Sequence, residues 1–175
     1  QHVLSPPAGV VAASSIGVAL GLTSTVTTVF SLFLVPLSEE FGVPRASVSL
    51  VLLIVALANA LVYPIVGRLG DLVGARRVIL IGLMIFVVSL AATSRVQNLT
   101  QLYVAYAVMG ISGSVLGPIL FTKIIAGWFK QTRGFFLGFV GGMGNGVGST
   151  LMPIYVLMLM SDGGWRSAYQ GLSLI

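Results

Sequence analysis

The stretch Gly67 to Arg77, "GRLGDLVGARR", decides how this chain is read. It holds Arg68, Asp71, Arg76 and Arg77, four of only thirteen formally charged residues among 175. Gly67, Gly70 and Gly74 punctuate it. Around it the sequence is 57% hydrophobic and 7% charged, where a soluble domain carries about 25% charge. Thirteen charges do not cover the surface of a soluble fold of this size, so lipid is the solvent for most of the chain.

A helix crosses a bilayer with about 20 mainly apolar residues. Working outward from the charged stretch, the apolar runs predict spans over roughly 10–37, 47–66, 78–93, 102–125 and 134–160, with the start of a sixth at 167–175. The first run is too long for a signal peptide and lacks a basic leading region. About nine residues do not cross, so the reading expects a chain cut within span 6. The expected fold class is therefore all-α and transmembrane, with residues 1–175 forming one helical bundle. Counting Lys and Arg only, the loops after spans 2 and 4 hold six of the nine, including Lys123, Lys130 and Arg133. The basic excess marks the cytoplasmic side, which predicts a cytoplasmic N-terminus and a cytoplasmic "GRLGDLVGARR". The positive net charge is thereby read as loop charge and not as a nucleic-acid surface.

Several chemistries are excluded. There is no cysteine, and the single histidine, His2, lies outside the oily runs. No disulfide framework, thiolate metal site or histidine-centred catalytic site is expected. The spans hold no carboxylate pair, so an intramembrane enzyme is not expected, and no cofactor is called for. "GGMGNGVG" lacks the G-x-G-x-x-G spacing and any strand–turn–helix setting, which rules out a dinucleotide fingerprint.

Residues at i, i+3, i+4 and i+7 share a helix face. Span 1 has Ser24, Thr27, Thr28 and Ser31 on such a stripe, span 2 has Ala56, Asn59, Ala60 and Tyr63, and span 4 has Gly110, Gly113, Ser114 and Gly117. A hydroxyl stripe either bonds its own helix carbonyls or lines a cavity. Thr27, Thr28, Ser31 and Asn59 are the candidate cavity residues. Span 3 has almost nothing polar and is expected to face lipid. In span 5, Gly134, Gly138, Gly142 and Gly146 step by four, a spacing that lets helix backbones approach closely. Lys123, near one end of span 4, either snorkels to the interface or points into an aqueous cavity and attracts an anion.

Gly67-x-x-x-Asp71-x-x-Gly74-x-Arg76-Arg77, placed between the second and third spans, resembles the signature loop of the major facilitator superfamily. "PLSEEFGVPRASVSL", "IIAGWFKQTRGFFLGFVGGMGNGVG" and "GGWRSAY" are similar to its monocarboxylate-transporter and oxalate–formate-antiporter branch. The resemblance implies the N-terminal half of a twelve-helix transporter, with the C-terminal half as partner. It implies a gating loop of Gly67, Arg68, Asp71, Gly74, Arg76 and Arg77, in which Asp71 docks on a helix N-terminus of the other half. Gly67 and Gly74 are expected to supply the tight turn. Many proton-coupled drug exporters of the superfamily carry an arginine in span 4, four residues before a glycine. Tyr106 stands there in this chain, before Gly110.

These readings converge on a secondary transporter of a small organic anion, a mono- or dicarboxylate, by symport or antiport with a coupling proton or counter-anion. The expected location is a bacterial inner (plasma) membrane. The alternatives are an exporter of uncharged or amphipathic compounds on the same fold, and a membrane scaffold or sensor that transports nothing.

Overall fold

The computed structural model describes residues 7–117, 120–121, 124–125 and 133–175. Among these residues every regular element is helical. Lipid leaves the backbone no other partners, so each spanning segment satisfies its polar groups within its own helix. The elements are α1 (Pro7–Ala19), α2 (Phe30–Phe41), α3 (Arg45–Leu69), α4 (Ala75–Thr93), α5 (Leu99–Gly113), α6 (Arg133–Phe139) and α7 (Asn145–Leu172). Among the described residues, four runs are long and apolar enough to cross a membrane: Gly9–Phe41, Arg45–Thr93, Leu99–Leu116 and Gly134–Ser161.

The first run is not one regular helix. A π-turn over Thr23–Thr27 separates α1 from α2. Its mark is a backbone bond from Thr28 to the Thr23 carbonyl, five residues back, at 2.9 Å. Thr25 Oγ1 donates to the Leu20 carbonyl and Thr28 Oγ1 to that of Thr23, at 2.8 and 3.0 Å. Such bulges change which side of a helix its residues face.

The second run has 49 residues, roughly 73 Å if straight, against a hydrocarbon core of about 30 Å. It doubles back. Gly74, at φ 92° and ψ 134°, breaks the helix between α3 and α4. The pairings with α5 establish the reversal. Tyr103 Oη donates to the Ser47 carbonyl at 2.7 Å, Gly110 lies against Val55 and Ala58, and Gly117 against Tyr63. α3 and the span containing α5 thus rise together. Gly113 meets Phe86 and Gly82 meets Val115, so α4 runs the other way. α5 starts at Asn98, whose side chain accepts from the Gln101 N–H at 2.9 Å. The span loses regular helix at Gly117, which is extended at ψ 169°.

α7 is two helices. Gly163 and Gly164 are non-helical, Gly164 at φ 71°, so 145–162 completes the fifth span and 165–172 begins the next. That last helix starts two residues before the predicted 167. It packs into the core through Tyr169, which stacks on Phe33 at 4.5 Å and shares a hydroxyl–hydroxyl hydrogen bond with Tyr106. Phe30 meets the Tyr106 ring edge-on. These aromatic side chains are all buried. α4 presents Leu80, Ile81, Met84, Ile85 and Val88 on its exposed side, the apolar outer face that span 3 led one to expect.

Candidate translocation face and connecting loops

The polar stripe of span 1 is split by the π-turn. Ser24 is fully buried and Thr28 half-buried, whereas Thr27 and Ser31 are exposed, with Thr23 on the same side. Thr28 Oγ1 lies 3.4 Å from Ser149 Oγ, and Ser24 Oγ donates to Asn145 Oδ1 at 3.4 Å. Both pairs are 121 residues apart, so spans 1 and 5 run parallel in fixed register. Thr28 therefore stitches two helices together, while Thr27 and Ser31 stay on the open face. Asn59, on α3, is half-buried, and its Oδ1 is buried with no hydrogen-bond partner among the described residues. A buried amide oxygen without a partner is costly and rare. Lys123 lies outside the described residues.

The glycine ladder of span 5 is not the face that meets span 1. A Cβ added at Gly134, Gly138, Gly142 or Gly146 meets nothing within 4 Å. The close approach within this chain is made by Gly144, 2.8 Å from the Ser15 carbonyl, and by Gly148, pressed on Ala19 and Ser24. The reason is angular. Val140, Gly144, Gly148, Met152 and Val156 form the buried stripe of span 5; residues two positions away point elsewhere at 3.6 residues per turn. Gly142 and Gly146 instead floor an open groove of about 440 Å³ bordered by Met143, Val147, Thr150 and Leu151. In span 4 the stripe Gly110, Gly113, Ser114 and Gly117 is wholly buried. Its glycines pack on α3, α4 and Leu22, and Ser114 donates to the Ile111 carbonyl at 2.6 Å. That stripe is packing.

In the loop from Gly67 to Arg77, Arg68, Asp71, Arg76 and Arg77 are all exposed. A π-turn covers Gly70–Gly74. Gly74 makes the reversal, as its positive φ requires. Gly67 does not: it lies in regular α3 with open space beside it, and the close approach belongs to Gly70, 2.6 Å from Leu120 Cδ2 were it to carry a Cβ.

Position 106 holds a tyrosine turned inward. Its hydroxyl is spent on Tyr169, so it presents no polar group to the open face.

At the opposite end of the bundle from that loop lies a cluster that sequence reasoning missed. Glu40 Oε1 pairs with Arg166 Nη1 at 2.5 Å. Trp165 Nε1 donates to Glu40 Oε2 at 2.5 Å, and Arg166 Nη2 to the Val96 carbonyl at 3.1 Å. The guanidinium also lies 4.2 Å from the Trp165 ring centre. One Trp–Arg pair thus ties together the ends of spans 1, 3 and 5. Its signal was in "GGWRSAY", which carried a family likeness but no assigned partner.

The fold and loops describe a polytopic α-helical membrane protein with a charged hairpin between its second and third spans. A family model described as Major Facilitator Superfamily matches residues 16–175, and the chain belongs to that superfamily. It is 33% identical over 103 residues, 59% of this chain, to "Multidrug resistance protein 3" of Bacillus subtilis (strain 168), covering 20% of that protein. It is 29% identical over 162 residues, 91% of the chain, to "Efflux pump dotC" of Dothistroma septosporum (strain NZE10 / CBS 128990), covering 28% of it. A "Triacylglyceride transporter" of Mycolicibacterium smegmatis (strain ATCC 700084 / mc(2)155) is 26% identical over 153 residues, 86% of the chain and 27% of that protein. The chain thus spans less than a third of the length of each. These likenesses establish the superfamily, a coarser level than the monocarboxylate and oxalate–formate branch read from the sequence.

Proposed function

We propose that this chain supplies the N-terminal helices of a secondary transporter that exports amphipathic or uncharged compounds by alternating access. The observation that carries the reading is the open face of span 1. Ile16, Thr23, Thr27, Ser31 and Val35 are all exposed there, and none is charged. Neutral hydroxyls set among apolar side chains suit a cargo with apolar bulk and scattered polar groups. The names of the relatives, multidrug, efflux and triacylglyceride, point the same way. The two halves of the full transporter rock about a midplane site. The hairpin from Gly67 to Arg77 faces the cytoplasm and closes that side when Asp71 reaches a helix N-terminus opposite, where partial positive charge holds a carboxylate.

A small organic anion is the second reading. Tyr106 favours it, standing where many proton-coupled drug exporters of the superfamily have arginine. It requires a cation, from Lys123 or from the other half. Reconstituted full-length transporter in vesicles separates the two. Export of an amphipathic dye, uninhibited by excess small carboxylates, supports the first. Saturable carboxylate flux without dye movement replaces it with the second, and no flux of either kind leaves the scaffold.

A further inference from the structure

A groove lies between α4 and α5, away from the open face of span 1. It encloses about 480 Å³, within the range of sites that hold ligands. Its floor is apolar, with Ile85 and Val88 on α4 and Val104 on α5. Its mouth is polar, with Arg95, Thr100 and Gln101. Ile85 lies ten positions before Arg95, about 15 Å at the helical rise, half of a hydrocarbon core of about 30 Å. The groove is thus one leaflet deep, with a cation at its head.

That cation is uncommitted. Arg95 is exposed, and its guanidinium makes no ion pair or hydrogen bond among the described residues. Of the acids at this end of the bundle, Glu40 is held by Arg166 and Trp165. The first turn of α5 begins four residues after Arg95, at Leu99, and adds the partial positive charge of a helix N-terminus. Arg95 also borders a second crevice, on the other side of α4. This one encloses about 450 Å³ and is walled by Gln170 and Leu174 of the last helical segment. One cation therefore heads two clefts that flank a single helix, the α4–α5 groove with its apolar floor and a second one edged by Ser94, Gln170 and Ser173.

We propose that an anionic diacyl phospholipid binds astride α4, its phosphate on Arg95 and the α5 N-terminus and one acyl chain in each cleft. An arginine fork matches a phosphate diester geometrically. The clefts supply the apolar length that a free phosphate does not use. The site needs only the membrane-embedded fold, so it stands apart from the choice of transported cargo.

The test is native mass spectrometry of full-length transporter in detergent, titrated with phosphatidylglycerol or with phosphatidylcholine of the same acyl chains. Wild type is expected to retain one phosphatidylglycerol at least fivefold more tightly than phosphatidylcholine. Arg95→Gln removes that preference. Arg45→Gln, the same loss of charge at the same end of the bundle but off the groove, keeps it. Val104→Trp fills the α4–α5 cleft at an exposed position without touching charge, and lowers retention of phosphatidylglycerol. Inorganic phosphate in millimolar excess does not displace the lipid. Equal retention by wild type and Arg95→Gln overturns the assignment, as does an equal loss in Arg45→Gln or displacement by phosphate alone. A dimer that Val104→Trp dissociates, with no lipid retained, also overturns it and gives the groove to a second copy of the chain.

Discussion

Gly148→Ala and Gly142→Ala are the same chemical change on the same helix, six residues apart, and the structure gives them opposite outcomes. At Gly148 a methyl group points into the backbone of span 1. It falls on the Ala19 carbonyl, 2.5 Å from Ser24 Oγ and 2.8 Å from Ala19 Cα. Backbone yields less than a side-chain tip, so the two spans must separate. That weakens the nearby Ser24–Asn145 and Thr28–Ser149 contacts as well. Overpacking of a close-packed site costs about 1–3 kcal/mol, a factor of roughly 5 to 150 in the folded population. At Gly142 the methyl meets nothing, and exchanging glycine for alanine within a helix favours folding by about 0.5–1 kcal/mol. Thermal unfolding of the full-length protein in detergent, followed by loss of the monodisperse peak, reads both. Gly148→Ala should melt well below wild type and Gly142→Ala at or slightly above it. Equal stability of Gly148→Ala and wild type would refute the register of spans 1 and 5. A Gly142→Ala protein as fragile as Gly148→Ala would put the tight interface back on the ladder.

Tyr106→Phe strands the buried Tyr169 hydroxyl and should destabilise by about 1–3 kcal/mol; Tyr106→Phe with Tyr169→Phe should recover part of the loss, and strict additivity in a melting experiment would deny the bond. Asp71→Asn should lower transport while leaving abundance in the membrane unchanged, because a carboxylate at a helix terminus contributes about 0.3–2 kcal/mol through its charge; flux at the wild-type rate rejects the gating role. Glu40→Cys and Leu72→Cys, made singly in an otherwise cysteine-free background, should be labelled from opposite sides of intact cells by an impermeant thiol reagent, Glu40→Cys from outside. The reverse pattern inverts the proposed orientation. Glu40→Gln should cost no more than about 1 kcal/mol, since the ion pair is more than a third exposed and such pairs are weak. Arg166→Ala should cost more, because it also removes the Val96 bond and the contact with the Trp165 ring; equal melting temperatures for the two variants would show that the guanidinium does nothing beyond the ion pair.

The sequence by itself determined the solvent and the all-helical fold class. Thirteen charges in 175 residues leave lipid as the surrounding medium, and lipid forces helices of a set length between the charged breaks. "GRLGDLVGARR" was legible as a hairpin because charge and glycine both interrupt an apolar run. Its turning residue, Gly74, was legible too, while Gly67 and Gly70 exchanged roles only once Leu120 came near. Direction around each helix was decided by the tertiary structure alone. Nothing in "GFFLGFVGGMGNGVG" tells Gly142 from Gly144, yet one meets open space and the other the backbone of span 1. Thr27 and Thr28 are adjacent in the chain, and a π-turn that no residue pattern announced leaves one on the open face and the other against span 5. Tyr106 stood out as a departure from a family pattern, but its burial came from Tyr169, 63 residues away. In a soluble helix, hydropathy marks the inward face, because water and the core differ. In a membrane, lipid and protein interior are equally apolar, so that signal vanishes and only the fit of one helix against another decides which way each residue points.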